Sequence, residues 1–243
     1  DGLAVLKRWR AEGVEVPVEL AMTYGSPSME DGWQALKAKG VNRVILLPLY
    51  PQYSVSTTAS VFDAWAKAMK KERNLPVVRL IRDYHAHPEY IQALAMSVRR
   101  HWEQHGQGEH LLMSFHGIPE RYENEGDPYG HQCRRTAALL AEALGLAPEQ
   151  WTASFQSRFG KEEWLKPYTD VTVEGLPTRG VKRLDVICPA FSADCLETLE
   201  EIQVQNREIF MEAGGEQFEY IPALNSDQAH IRMMVSLICR ELA

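Results

Sequence analysis

Short apolar runs alternate with amphipathic stretches along the chain. Val44–Leu49 is a continuous apolar run, which is typical of a strand covered on both faces. The predicted strands are Val14–Met22, Val44–Leu49, Val77–Ile81, His110–Phe115, Trp151–Phe155, Val181–Cys188 and Gln217–Ile221. The predicted helices are Met29–Lys39, Thr57–Glu72, Pro88–His105, Pro128–Leu144, Asp170–Arg179, Ala193–Ala213 and Ser226–Leu242. An Asn-Ser pair at 225–226 is expected to cap the last helix.

This order of elements predicts an α/β fold built from parallel sheets with right-handed crossovers. The pattern runs twice, which predicts two similar doubly wound, Rossmann-like lobes flanked by helices around a cleft. The seam is expected in a polar, glycine-containing stretch at 104–109. The predicted domains are therefore residues 1–107, residues 108–222 and a terminal helix at 223–243 that packs back on the first lobe.

Composition and charge exclude several classes of protein. The 243 residues are 45% hydrophobic and 24% charged, which disfavours a disordered, collagenous or coiled-coil chain. The net charge is −7 and no run of Lys and Arg exceeds two residues, so a nucleic-acid partner is not expected. No apolar run is long enough to span a bilayer. The four dispersed cysteines are typical of small core residues in a cytoplasmic protein.

Loops that leave the carboxyl ends of strands are the expected binding edge of a parallel sheet. One such loop, residues 50–58, combines two tyrosines with several hydroxyls, which suits a wall for a flat ligand. The same hydroxyls also suit a plain helix cap at Ser56 or Thr57. His116 ends another strand and precedes Gly117, so it can act as a base or a metal ligand. An ordinary hydrogen-bonded histidine explains that position equally well.

A third loop enters the long predicted helix with Glu197 and Glu201, which four-residue spacing places on one helical face. Two like charges there fit a bound cation or shared protons, or a solvated first turn favoured by the helix dipole. Arg158 follows a strand and is a candidate for holding a carboxylate, and Trp164 suits either core or ligand platform. Walker, G-x-G-x-x-G and G-x-S-x-G motifs are absent, so nucleotide binding and α/β-hydrolase chemistry lose support.

Four stretches, in one order over nearly the whole chain, resemble the ferrochelatase family, whose members insert iron into a porphyrin. They are LPLYPQYSVSTTAS (47–60), SFHGIPERYENEGDPY (114–129), TASFQSRFGKEEWLKPYTD (152–170) and CPAFSADCLETLEEI (188–202). The flanking sequence is most similar to Gram-negative bacterial members. The resemblance implies that His116 is the active-site histidine and that Glu197 is the acid facing it across the porphyrin. Glu201 matches the next acid on the same ridge, so these three residues are the implied metal-handling set.

The resemblance also implies which residues surround the porphyrin. They are Tyr50, Ser54, Ser56, Gln156, Arg158 and Trp164. Gln156 and Arg158 match positions near the porphyrin propionates. Family members begin with a further strand and a helical lip, so the resemblance implies that an N-terminal segment is missing before Asp1. Thr23 stands where relatives often have Arg, so the resemblance assigns no role to that position.

Val55 stands where animal relatives carry a cluster-ligating cysteine, and the end of the chain is not rich in cysteine. The resemblance therefore implies no iron–sulfur cluster and no permanently bound cofactor, with Fe²⁺ as a substrate. The implied reaction inserts Fe²⁺ into protoporphyrin IX to form protoheme, with macrocycle distortion and proton removal by a His/Glu pair. Open alternatives are a coproporphyrin or sirohydrochlorin chelatase and a non-catalytic two-lobed binding protein. The apolar product is compatible with peripheral membrane contact, and the oligomeric state cannot be inferred from the sequence.

Overall fold

The computed structural model describes residues 16–242, and the chain divides into two compact units. One unit contains the residues up to Tyr84 together with those from Ser226 onward, and the other is His85–Asn225. The boundary lies about twenty residues before the predicted seam at 107/108. The reason is that helix Pro88–His105 packs on helix Tyr129–Leu144 and strand Gln217–Ile221, all of which belong to the second unit. The terminal helix Gln228–Leu242 belongs to the first unit.

The first unit is organised around a parallel pair of strands. Its elements, numbered along the chain, are α1 (Met29–Ala38), β1 (Arg43–Leu46), α2 (Ser60–Met69), β2 (Val77–Leu80) and α9 (Gln228–Leu242). A capping box begins α1: Ser28 Oγ accepts from Asp31 N–H, and the Asp31 carboxylate accepts from Ser28 N–H. Trp33 and Trp65 meet edge to face with 5.7 Å between ring centroids, and this pair anchors the core of the unit.

The predicted strand Val14–Met22 is wrong over its described part, residues 16–22. Over these residues the described chain has one isolated bridge, between Met22 and Ser28, in place of a strand ladder. An apolar run becomes a strand only where a neighbouring strand pairs with it. Residues 14 and 15 lie outside the described part.

The second unit contains a four-stranded, all-parallel sheet. Its strands are β3 (His110–His116), β4 (Trp151–Gln156), β5 (Arg183–Ile187) and β6 (Gln217–Ile221), in the spatial order β4-β3-β5-β6. Its helices are α3 (Pro88–His105), α4 (Glu120–Asn124), α5 (Tyr129–Leu144), α6 (Thr169–Gly175), α7 (Leu196–Leu199) and α8 (Arg207–Glu212). The chain moves from β3 to β4 on one side and returns to β5 on the other. The carboxyl ends of β3 and β5 therefore flank a topological switch point, where open α/β sheets bind ligands.

Burial explains why β3 forms the centre of this sheet. Six of its seven residues are buried, and Phe115 packs against Phe155 of β4. On one face, Leu112, Val186 and Phe210 belong to a single apolar cluster. Buried strands of this kind are the expected centre of a sheet covered by helices on both faces. The α/β fold with parallel sheets is confirmed.

Several predicted helices differ in detail, and Thr57–Glu72 is observed as a π-helical segment, Val55–Ala59, followed by α2. The long helix Ala193–Ala213 is divided into α7, a π-helical segment Glu201–Asn206 and α8. The predicted helix Asp170–Arg179 ends as α6 and continues as a 3₁₀ turn at Pro177, because proline has no N–H to donate. The last predicted helix begins at Gln228 rather than at Ser226, and the carboxylate of Asp227 accepts from Ala229 N–H at 2.8 Å. Within residues 16–242, no helix is both long and apolar enough to cross a membrane.

Candidate functional site

The carboxyl ends of three strands gather the chemically distinctive residues of the second unit. His116 ends β3 and is in register with Gln156, which ends β4. Glu197 and Glu201 follow the end of β5 in α7 and the π-helical segment. The predicted His116 and Glu197 therefore lie on the two sides of the switch point between β3 and β5.

The His116 imidazole is oriented by its own turn. Nδ1 lies 2.7 Å from the carbonyl oxygen of Gly117, and because that oxygen can only accept, Nδ1 carries the proton. In the neutral ring, Nε2 then keeps its lone pair. The ring is partly exposed and lies between two aromatic groups, with centroids 6.5 Å from Trp164 and 6.4 Å from Phe191. The geometry suits a base, or a metal ligand, in aromatic surroundings.

Gly117 permits the tight approach that places His116. Its N–H donates to the Gln156 carbonyl at 2.8 Å, which extends the pairing of β3 with β4 by one residue. A Cβ at position 117 would lie 2.8 Å from that same carbonyl oxygen and 3.0 Å from Trp164 Cε3. Only glycine fits between the strand end and the indole ring.

Trp164 is a core residue, which is one of the two interpretations that the sequence left open. It is buried, and its ring centroid lies 6.5 Å from that of His116 and 4.9 Å from that of Phe159. Phe159 is 74% exposed. Trp164 is therefore a core residue that also provides one aromatic neighbour of His116.

Glu197 is held as a carboxylate. A hydrogen bond from the Cys195 thiol and then its own backbone N–H lower the pKa of Glu197 below its usual value, and a proton on His116 lowers it further. On the thiol side, burial and the hydrogen bond to Glu197 raise the pKa of Cys195 to about 11. His116 and Glu197 are thus close enough to interact electrostatically.

Glu201 accepts hydrogen bonds from three donors at the end of β4. Ser157 donates its backbone N–H at 2.7 Å and its hydroxyl at 2.5 Å, and Gln156 Nε2 donates at 3.2 Å. Within residues 16–242, no three His, Cys, Asp or Glu side chains are grouped to hold a metal ion. The predicted metal-handling set of His116, Glu197 and Glu201 is therefore not a preformed three-ligand centre.

The Gln156 side chain is directed into the protein. It is 3% exposed, its oxygen accepts from the Ser114 hydroxyl at 2.8 Å, and its nitrogen donates to the Glu197 carbonyl at 2.7 Å. Sequence reasoning did not identify Ser114 or Ser157. A polar residue within the apolar strand that ends at His116 was the available signal for Ser114.

Arg158 contacts side chains outside this network. Its guanidinium donates to Asp170 at 2.8 Å and lies 4.0 Å above the Tyr168 ring. Arg158, the predicted partner for a ligand carboxylate, is thus already paired with the Asp170 carboxylate of α6.

The hydroxyl-rich loop predicted as a porphyrin wall lies in the first unit. Ser54 is buried, and its hydroxyl accepts from Ser56 N–H, which caps the π-helical turn Val55–Ala59. The cap is therefore Ser54 rather than Ser56 or Thr57. Ser56 is exposed, with its hydroxyl 3.0 Å from that of Ser54. Tyr50 is 38% exposed, and partial burial raises its pKa.

Comparison with known proteins gives one consistent family. The family model for ferrochelatase matches residues 3–242. The ferrochelatase of Aeromonas hydrophila is 90% identical over 240 residues, which cover 99% of this chain and 74% of that protein. The ferrochelatase of Vibrio parahaemolyticus is 58% identical over 232 residues, covering 96% of this chain and 72% of that protein.

Solved structures agree on the fold. SirB from Bacillus subtilis with Fe³⁺ superposes with a TM-score of 0.69 and covers 98% of this chain and 87% of its own. Its sequence identity is 12%, so this likeness concerns the fold alone. The family assignment rests instead on the family model and on the relatives of high sequence identity. The chain belongs to the ferrochelatase family of metal-inserting chelatases, which insert iron into a porphyrin in heme synthesis.

Proposed function

We propose that this chain inserts Fe²⁺ into protoporphyrin IX to form protoheme, the final step of heme biosynthesis, with His116 and Glu197 as the reacting pair. The observation that carries the proposal is the orientation of His116. Its Nδ1–H is occupied by the Gly117 carbonyl, so Nε2 is left with its lone pair beside Trp164 and Phe191. The switch point of the sheet is where a ligand is expected.

Metal insertion releases two pyrrole protons for each Fe²⁺ that enters the ring. His116 Nε2 takes one proton, and the resulting imidazolium is stabilised by the neighbouring Glu197 carboxylate. Glu197 takes the second proton and passes it to solvent. The aromatic side chains around His116 favour a bent macrocycle, which exposes the pyrrole nitrogens and resembles the transition state.

Iron enters this reaction as a substrate, and the donor types do not select it strongly. Imidazole and carboxylate also bind Zn²⁺ and Co²⁺, because intrinsic affinities do not favour iron. Activity with Zn²⁺ is therefore expected and gives a convenient assay. Protoporphyrin carries fewer propionates than coproporphyrin and therefore needs fewer cationic side chains to bind it. Because Arg158 is already paired with Asp170, the structure supports protoporphyrin as the substrate.

We also assign the chain to the cytoplasm, with no resident cofactor and no iron–sulfur cluster. The dispersion of Cys133, Cys188, Cys195 and Cys239 supports this assignment, since no pair has a cluster or disulfide spacing.

The test is anaerobic addition of Fe²⁺, with Zn²⁺ in parallel, to the protein with protoporphyrin IX. Porphyrin fluorescence and the Soret band report metallation, and a fluorescence titration reports porphyrin binding. His116→Ala is expected to lower the rate by about 10²- to 10⁴-fold and to leave binding largely intact. His131→Ala, at an exposed position of α5, is the matched control and should keep the wild-type rate.

Two outcomes would overturn the proposal. One is porphyrin binding without metallation by the wild-type protein, and the other is an unchanged rate in His116→Ala. Faster metallation of coproporphyrin or sirohydrochlorin in the same absorbance assay would instead reassign the substrate.

A further inference from the structure

Four buried polar side chains form a continuous hydrogen-bonded chain that ends at the two acidic residues of the site. Ser154 Oγ lies 2.8 Å from Thr169 Oγ1, which lies 2.9 Å from Ser114 Oγ. Ser114 Oγ lies 2.8 Å from Gln156 Oε1. All four side chains are at most 3% exposed, so water does not compete for these bonds.

The donor and the acceptor in each of these hydrogen bonds can be assigned by counting the protons that each side chain can donate. Gln156 Nε2 faces the Glu197 carbonyl at 2.7 Å and the Glu201 carboxylate at 3.2 Å, which both only accept. The amide oxygen must therefore face Ser114, and Ser114 must donate to it.

The two remaining hydroxyls have one consistent arrangement. The single proton of Ser114 is used on Gln156, so Thr169 donates to Ser114, and Ser154 in turn donates to Thr169. A one-directional chain of this kind polarises each successive bond and strengthens the last one. The last donor is the Gln156 amide.

We propose that Gln156 is a positioning residue: its amide, oriented by the Ser154–Thr169–Ser114 hydroxyls, fixes the main chain of Glu197 and the carboxylate of Glu201. The inference rests on the proposed function, which makes Glu197 a reacting group. Contact of Gln156 with the porphyrin is disfavoured because both of its N–H donors already have acceptors inside the protein.

Four variants test the proposal in a Cys239→Ser background, which removes the exposed thiol. Gln156→Glu keeps the shape but replaces the two amide N–H donors with a carboxyl group, whose single proton can serve only one of the two acceptors, the Glu197 carbonyl or the Glu201 carboxylate. Thr169→Val is nearly isosteric and interrupts the series of hydrogen bonds between the four side chains, whereas Thr169→Ser keeps the hydroxyl. Thr172→Val, in the same helix, removes a hydroxyl that bonds, within residues 16–242, only to the Tyr168 carbonyl, and it is the matched control.

Zn²⁺ insertion kinetics give the first readout. Gln156→Glu is expected to lower kcat by about 10- to 100-fold with little change in the porphyrin KM, as displacement of a reacting group requires. Thr169→Val should lower kcat by several-fold, and Thr169→Ser and Thr172→Val should stay close to wild type. A raised KM with unchanged kcat, or equal losses in the two Thr169 variants, would overturn the proposal.

Alkylation of Cys195 gives a second readout that needs no turnover. Its thiol reports the position of Glu197, to which it is hydrogen-bonded. Gln156→Glu and Thr169→Val are expected to shift the pH profile of alkylation, whereas Thr169→Ser is not. This shift would support the positioning role even if the wild-type protein failed to insert metal. An unshifted profile in both disruptive variants would contradict that role even if metal insertion were normal.

Discussion

Ser157 donates both its backbone N–H and its hydroxyl to the carboxylate of Glu201, at 2.7 and 2.5 Å. To reach this geometry, Ser157 has a φ of 63°, in the left-handed region that non-glycine residues rarely occupy. The two bonds join the end of β4 to the π-helical segment that follows β5. A strained backbone and a charge-assisted pair therefore occur together at the carboxyl ends of the strands.

Two substitutions at Ser157 separate these effects. Ser157→Ala removes one donor to a carboxylate and should lower the free energy of unfolding by about 1.5–3 kcal/mol. Ser157→Gly removes the same donor but relieves the left-handed backbone, so it should be more stable than the alanine variant by about 1 kcal/mol. Urea unfolding of the three proteins measures both differences. Equal stability of the two variants would show that the φ of Ser157 costs nothing.

Gly117→Ala tests the close approach at the histidine turn. The added methyl would lie 2.8 Å from the Gln156 carbonyl oxygen, and relieving that overlap should cost about 1–3 kcal/mol of unfolding free energy. The turn that orients His116 must also shift, so the metallation rate should fall. Gly175→Ala is the control, because a Cβ there meets nothing within 4 Å. A fully active and stable Gly117→Ala protein would contradict the role assigned to this glycine.

The Cys195 thiol should ionise, and so become reactive, only at high pH. With its pKa raised to about 11, alkylation by iodoacetamide should be slow at neutral pH and should keep increasing to about pH 11. Glu197→Gln removes the negative acceptor that favours the protonated thiol, so the midpoint should move to lower pH. Mass spectrometry in the Cys239→Ser background follows the single site. A wild-type midpoint near that of an ordinary cysteine, or no change in Glu197→Gln, would refute the hydrogen bond between these residues.

Elements with strong local signals could be predicted from the sequence. Pro88–His105 has proline at its first position and glycine after its last, and the structure has the same bounds. Gln217–Ile221 is likewise a strand over the predicted residues. His116 was found because a titratable residue ends a buried strand and precedes glycine.

Features that depend on distant neighbours could not be predicted. The π-helical segment at Glu201 is accompanied by bonds from Gln156 and Ser157, residues 45 and 44 positions away along the chain. Helical spacing alone predicted only that both acids share one helical face. Similarly, nothing local distinguishes a Gln156 that binds ligand from one held by Ser114, because the register of β3 with β4 decides between them.

A buried carboxylate in the same sheet leads to a pH-dependent prediction for stability. Asp185 of β5 is 2% exposed and accepts from Trp102 Nε1 at 2.6 Å and from Gly108 N–H at 2.8 Å. Burial raises the pKa of Asp185, and the two hydrogen bonds only partly offset this effect. Since the pKa is higher in the folded state, stability falls as pH rises through the folded-state pKa.

Trp102→Phe removes one of the two donors that favour the ionised form of Asp185. The folded-state pKa of Asp185 should rise further, so the stability deficit of this variant should grow with pH and then level off above that pKa. At pH 8 the expected deficit is about 1–3 kcal/mol, and it should shrink at the lowest pH at which both proteins fold. Urea unfolding across this range measures it, with Trp151→Phe as a control that removes no donor to a carboxylate among the described residues. A deficit independent of pH would mean that the loss comes from the smaller ring rather than from the Asp185 hydrogen bond.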